Sequence, residues 1–423
     1  MRVAVIGAGI SGMVAAYHLC REHEVTVFEA APYAGGHTHT VEVESQGARF
    51  AIDTGFIVHN EWTYPNFVAL LKELEVRSSD TAMSFSVHCE QSGLEYNGTS
   101  MNGLFAQRIN LLKPSFLRMV SDILRFNREA QALLRGGSDL SLGEFLHRQR
   151  YSPSFLKHYI LPMGAAIWSS DEADILNFPA EFFLRFFANH GFLSVNERPM
   201  WRVIDGGSQA YVKPLTAPYR QRLRLATPVA SIERRAHQVN LRLKDGSVEH
   251  VDRLILACHS DEALRLLDDP SAAERAILGA IPYQRNEVLL HTDSRLLPRS
   301  RRAWAAWNYH LPRIPAGKAT VTYNMNILQH LDSEEQFLVS LNVSERVEAS
   351  RVLGRYVYHH PVFSPAALAA QKRRGEIDGA NRTYFCGAYW GYGFHEDGVA
   401  SALACLETFR REAHAKPHLQ RVG

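Results

Sequence analysis

An α/β fold of the Rossmann type is predicted by three neighbouring features at the start of the chain. Val3-Ala4-Val5-Ile6 is a short apolar strand, Gly7-Ala8-Gly9-Ile10-Ser11-Gly12 is a GxGxxG turn opening into an apolar helix, and Val25-Thr26-Val27-Phe28-Glu29 is a second strand that ends in an acid. In that order they specify a dinucleotide site. The first glycine allows a tight turn, the second lets backbone approach a pyrophosphate, the third lets helix pack on strand, and the helix N-terminus favours phosphate charge. Glu29 then accepts hydrogen bonds from the ribose hydroxyls, and its charge opposes a 2′-phosphate. A GxGxxG run alone is a weak signal; strand, turn, helix, strand and acid in register are a strong one.

At 423 residues the chain exceeds one ordinary core, so two interleaved domains are expected. Hydrophobic residues at 46% and charged residues at 21% describe a soluble globular protein, and a net charge of +2 carries no global nucleic-acid signal. Cys20, Cys89, Cys258, Cys386 and Cys405 are scattered without a CxxC pair, which suggests neither a disulfide framework nor a zinc site and fits a reducing cytoplasm. The first strand begins at residue 2, so no signal peptide is expected, and no run of about eighteen apolar residues exists to cross a bilayer.

The nucleotide-domain signature recurs in separated pieces. After the first come Val203-Ile204-Asp205-Gly206-Gly207-Ser208, a strand over residues 223–232, a hairpin arm ending at Asp245-Gly246, and the apolar strand Leu254-Ile255-Leu256-Ala257. Near the C-terminus, Thr383-Tyr384-Phe385-Cys386-Gly387-Ala388 leads through the glycine-rich residues 391–398 to a helix through Phe409. Between these pieces, residues 101–200 read as helices punctuated by Pro114, Pro153, Pro162 and Pro179, and strands are expected at 288–292, 303–310, 319–325 and 337–343. The expected division is a dinucleotide domain of 1–80, 203–275 and 360–423 and a mixed α+β substrate domain of 81–202 and 276–359.

With these residues assembled, the chain resembles the flavin-dependent amine oxidase superfamily over essentially its whole length. More narrowly, Gly35-Gly36-His37-Thr38-His39-Thr40, Asp53-Thr54-Gly55-Phe56-Ile57-Val58, Thr63-Tyr64-Pro65-Asn66-Phe67 and residues 387–398 resemble a bacterial branch of predicted FAD proteins encoded beside, or fused to, cyclopropane fatty-acid synthases. The resemblance implies a glutathione-reductase-like FAD domain interleaved with an amine oxidase-like substrate domain. It places Gly7, Gly9, Ser11 and Gly12 around the pyrophosphate, Glu29 on the ribose, and Gly35, Gly36 and His37 where relatives carry Gly-Gly-Arg. Thr54 and Gly55 would lie near the isoalloxazine, the Val229 backbone at adenine, and Gly387 and Ala388 along the ribityl chain. Gly398 would start the helix aimed at the flavin pyrimidine oxygen. The lysine that amine oxidases place near flavin N5 has no match, because no lysine lies between Lys244 and Lys318. A cysteine for covalent attachment also has no match, so non-covalent FAD is expected.

Six phenylalanines, Phe178, Phe182, Phe183, Phe186, Phe187 and Phe192, crowd residues 178–192, and leaving each wet would forgo about 1.5–3 kcal/mol. They are core, tunnel lining or membrane-facing. Residues 104–128 interleave apolar side chains with Arg108, Lys113, Arg118, Arg125 and Arg128, a pattern of either a lipid-binding face or a solvated helix. His37-x-His39, His359-His360 and His395-Glu396-Asp397 lack the convergence of a metal site, so none is expected. Tyr389, Trp390, Tyr392 and Phe394 would wall the flavin cavity.

The expected activity is an FAD-dependent oxidoreductase that takes a hydride from a long apolar substrate, a fatty-acyl chain or phospholipid acyl group. Its base would be drawn from Glu61, Tyr309, His395 and Glu396. A flavin-dependent double-bond isomerase and an amine oxidase are the enzymatic alternatives. A lipid escort that has lost the nucleotide is disfavoured by intact Glu29 and both glycine pairs. Expected partners are the lipid itself, the inner membrane face and a cyclopropane fatty-acid synthase-like methyltransferase, with no nucleic acid and a cytoplasmic location.

Overall fold

The computed structural model describes residues 1–194, 197–314 and 317–414. At its centre the apolar strands Arg2–Ile6, Glu24–Phe28 and Arg253–Leu256 run parallel with Leu223–Arg224 and Thr383–Phe385. The order across this sheet is Leu223–Arg224, Glu24–Phe28, Arg2–Ile6, Arg253–Leu256, Thr383–Phe385. The strands are apolar on both faces because both are covered: Val3, Val5 and Ile255 pack with the helices Ile10–Leu19 and His395–His414, and Ala4, Ile6, Leu254 and Leu256 with the three-stranded sheet Val229–Arg234, Val239–Leu243 and Val248–Val251. The sheet draws on all three separated nucleotide-domain pieces.

A second, seven-stranded sheet runs in the order Val352–Pro361, Tyr283–His291, Leu338–Leu341, Val321–Asn324, Trp307–Leu311, Phe85–Cys89, Leu94–Asn97. It is antiparallel except where Trp307–Leu311 pairs parallel with Phe85–Cys89. The helical segment begins where the prolines indicate: Pro114 and Pro153 open helices at the first turn, and Pro179 precedes Ala180–Asn189. In that segment Phe178, Phe183 and Phe187 are fully buried core, and Phe186 and Phe192 face the central cavity, so packing and lining divide the cluster.

Three expectations about elements are corrected. The strand expected over residues 223–232 is two strands in two sheets, because Ala226 turns left-handed at φ 48° and Pro228 offers no N–H to continue a ladder. The strand expected from Ala303 begins at Trp307: Asn308 folds back to accept the Ala305 N–H and donate to the Ala305 carbonyl. The ten-residue strand Val352–Pro361 went unread although Leu353, Arg355 and Val357 face solvent in alternation with partly buried neighbours. Among the described residues no helix is long and apolar enough to cross a membrane.

Candidate functional site

A large cavity, about 790 Å³, runs from the GxGxxG turn to the aromatic helices, within the range of small-molecule sites. Its first end is built by backbone. Gly7 sits at φ 102°, and a Cβ on Gly12 would lie 1.9 Å from the Gly7 carbonyl oxygen, so only glycine lets the helix Ile10–Leu19 start this close to the strand. No side chain caps that helix, which leaves its first amide donors for a ligand anion. The Glu29 carboxylate lines the cavity and is fixed by accepting the Ala8 and Ala31 N–H groups at 2.7 and 2.8 Å. Val229 lines the same end beside Lys244.

Loop residues 35–40 are zipped to residues 53–58. The Phe56 N–H donates to the His37 carbonyl at 2.7 Å and the Thr54 N–H to the His39 carbonyl at 2.9 Å. This pairing brings Gly35, Gly36, His37, Thr54 and Gly55 together along the cavity. His37 is buried with Nε2 unpartnered, its ring 5.4 Å from His360, 6.3 Å from His259 and 5.0 Å from Tyr358. Burial, then the neighbouring His259, push it down to about 4, so the ring is neutral at pH 7 and a donor nitrogen remains to be used. His259, Tyr358 and His360 were missed as site residues. Tyr358 and His360 ride on the unread strand Val352–Pro361, and its alternation was the signal that could have found them.

Gly9, Ser11, Gly387 and Ala388 line the cavity as expected from the resemblance, whereas Gly12 and Gly398 act from behind it. The C-terminal helix starts at His395, three residues before the expected Gly398, because the Asp397 carboxylate reaches back to accept the Phe394 N–H at 2.9 Å. Gly398 instead allows two helices to meet: a Cβ there would lie 2.7 Å from Ile10 Cγ2 and 3.0 Å from Ser11 Oγ.

Of the four residues expected to supply a base, one lines the cavity. Glu61 is exposed on the turn after Val58–Asn60, and Tyr309 is buried in its strand away from the cavity. Glu396 is spent on structure, accepting the Asn66 and Phe67 N–H groups at 3.1 and 2.9 Å and so capping the helix Pro65–Glu73. His395 does line the cavity, stacked on Phe56 at 3.7 Å, with Nε2 held by Tyr211 Oη at 2.6 Å and Thr38 Oγ1 at 3.2 Å. Burial drives it well below the ordinary histidine range, so it is a neutral strut between loop and helix.

A further histidine, unmarked by any motif, lies in the aromatic half. His190 stacks on Phe186 at 3.8 Å and its Nδ1–H donates to the Phe186 carbonyl at 2.9 Å. That bond fixes the tautomer, leaving Nε2 unprotonated. Among the described residues the ring's one side-chain hydrogen bond is that Nδ1 bond, and burial holds the ring near pKa 4. The rings of Phe192, Trp201 and Phe394 lie 6.1, 6.1 and 6.2 Å from it, and Trp168, Trp307 and Tyr323 line the same cavity. The charged groups lining the cavity, Glu29, Lys244, Glu262 and Arg265, all belong to segments around the GxGxxG turn. Among the described residues the aromatic half has none.

The model of the family described as flavin containing amine oxidoreductase matches residues 10–306. Among solved structures, the chain is similar to cyclohexylamine oxidase from Brevibacterium oxydans IH-35A, with TM-score 0.69 and 14% identity over 97% of this chain and 99% of that one. It is equally similar to a CLA-producing fatty acid isomerase from P. acnes, with TM-score 0.69 and 15% identity over 96% and 98% of the two chains. At these identities the likeness establishes the fold. No curated protein sequence matches the chain. The residues present fit FAD: uncapped amides at a glycine turn for the pyrophosphate, the oriented Glu29 carboxylate for a ribose, and the orphaned His37 Nε2 for a phosphate oxygen.

Proposed function

The chain belongs to the flavin-containing amine oxidoreductases, and from that premise we propose that it is an FAD-dependent dehydrogenase that introduces a double bond into a long apolar chain, most specifically a fatty-acyl group of a lipid. FAD held by the glycine turn, Glu29, His37 and the Gly387-Ala388 backbone supplies the two-electron acceptor. The remaining work is done by the chain's own residues.

The observation that carries this reading is the uncharged aromatic half of the cavity. Among the described residues it offers no carboxylate to an ammonium and no guanidinium or ammonium to a free carboxylate, and placing an unpaired charge there would cost several kcal/mol. A methylene chain suits it, with its head group outside. Removing two hydrogens as a hydride and a proton also requires a proton acceptor, and His190 Nε2 is the unprotonated nitrogen available in this half; the positive charge it would gain is not left unpaired, because bound FAD would take up negative charge with the hydride. The ring stacked on Phe186 is held in place by its Nδ1 bond, so the base is positioned before substrate enters. The lining lysine, Lys244, stands at the adenosine end, which supports a chemistry other than lysine-assisted amine oxidation. Cys258, the cysteine among the lining residues, lies beside the Gly7 turn, which supports non-covalent FAD. The reading includes a functional link to a cyclopropane fatty-acid synthase-like methyltransferase acting on the same class of chain.

Double-bond isomerisation is the second reading, favoured by the similarity to the fatty acid isomerase. Incubation of the purified holoenzyme with bacterial phospholipids, under air and under nitrogen, followed by fatty-acid mass analysis, separates the two. Loss of two hydrogens supports dehydrogenation; unchanged mass with moved unsaturation replaces it with isomerisation. No change in any acyl chain removes both.

A further inference from the structure

We propose that residues 101–118 and 299–302 form a docking surface for an anionic phospholipid bilayer. The apolar component is exposed. Met101 is 70% and Leu112 78% accessible, and Ile109, Leu111 and Leu117 stand out beside them. Of the fourteen large apolar side chains exposed among the described residues, six fall between Met101 and Leu124. Scattered single exposures are ordinary, but a cluster marks an interaction surface. The display is fixed by the residues between: Phe105, Asn110 and Phe116 turn into the core, which forces Ile109, Leu111 and Leu112 outward.

Charge selects the occupant. From residue 96 to residue 121 the chain has no acid and carries Arg108, Lys113 and Arg118. The helix Met101–Leu104 packs against the short helix Arg301–Ala303, which adds exposed Arg299, Arg301 and Arg302 to the same surface. Glu95, the nearest preceding acid, is buried and turned inward, accepting the Arg299 and Ser300 N–H groups, so it presents no charge outside. Six cations around an apolar cluster would confront the same six across a two-fold interface between copies. An anionic bilayer offers both complements, phosphate charge for the rim and acyl interior for the side chains.

The pattern read from sequence over 104–128 is thereby narrowed. Arg118 and Arg125 both pair with Asp122, at 3.4 and 3.2 Å, and Arg125 also covers the Tyr151 ring. Arg108, Lys113, Arg301 and Arg302 therefore lead the electrostatic contact, and the docking surface stands whatever bond the enzyme oxidises.

The test is flotation of the FAD-loaded full chain with vesicles of equal parts phosphatidylcholine and phosphatidylglycerol, and with phosphatidylcholine alone, at low and high salt. Flotation is expected with the anionic vesicles at low salt and is lost at high salt. The triple variant Arg108→Gln, Arg301→Gln, Arg302→Gln should weaken partitioning on the order of a hundredfold, at about fivefold per cation. Ile109→Ser with Leu112→Ser should weaken it on the order of a hundredfold, taking the lower figure for burying each side chain. All these side chains are exposed, so bound flavin and melting temperature should match the parent. Absent flotation of the parent at low salt, or unchanged flotation of both variants, overturns the proposal. So does a parent dimer in sedimentation velocity that both variants dissolve, because a second copy then covers the surface.

Discussion

At the adenosine end the cavity is lined by glycines, exposed backbone amides and four charged side chains, whereas around Phe186 and His190 its wall is aromatic and, among the described residues, uncharged. The first end offers a polar ligand uncapped backbone amides and one fixed carboxylate, Glu29. The second, uncharged among the described residues, suits a chain held by dispersion and shape, with the neutral His190 set among tryptophans and tyrosines. The two ends therefore fail in different ways when altered, which is how the division can be broken or sharpened.

The largest effect is expected from Gly12→Val. Its Cβ would lie 1.9 Å from a backbone oxygen that cannot yield, so the turn, the helix start and FAD binding should be lost together, read as colourless protein with a collapsed melting transition. A yellow, stable variant would remove the glycine turn from the site. Next is His190→Gln: turnover should fall by about 10²–10⁴, the range for a positioned proton acceptor, with FAD affinity unchanged by titration calorimetry. If turnover survives, His190 is packing only.

Glu29→Ala should weaken FAD by about 1.5–3 kcal/mol, the range for a hydrogen bond to a charged group, and leave the fatty-acid product pattern of the residual holoenzyme unchanged. A shift in product pattern would mean the halves are coupled. The smallest effect is the change that FAD makes to the pH dependence of stability. Burial holds His37, His190 and His259 near 4 against 6.5 in the unfolded chain, so between those values the unfolded chain binds more protons. Stability is fully present above pH 6.5 and is lost as pH falls toward 4, by about 1.4 kcal/mol per histidine for each pH unit. A pyrophosphate bound beside His37 and His259 would favour their charged forms, so melting curves across this window should be flatter with FAD than without. Identical slopes would place the phosphates away from the histidines.

The same division explains what could be read from the chain. The adenosine end was legible because a backbone site demands particular residue types at particular spacings, and Gly7, Gly12 and Glu29 announce themselves within one βαβ unit. The far end was legible in part: Phe186, Phe192, Tyr392 and Phe394 stood out as lining candidates, but Met83, Trp168, Trp201, Trp307 and Tyr323 come from separate segments that share no local pattern. Glu396 and Glu61 illustrate the hazard. Proximity in sequence to cofactor-binding loops suggested chemistry, but one caps a neighbouring helix and the other faces solvent. His190 was hidden for the opposite reason: amid phenylalanines it reads as core, and the Nδ1 bond that fixes its tautomer exists only in the folded helix.

The central claim is that the uncharged half receives an acyl chain and not an amine. Anaerobic stopped-flow mixing of the holoenzyme with dispersed phospholipid, and separately with putrescine and a simple primary amine, tests it most directly through flavin absorbance. Bleaching of the oxidised flavin by phospholipid and none by either amine is predicted; bleaching by an amine with none by any lipid would contradict it.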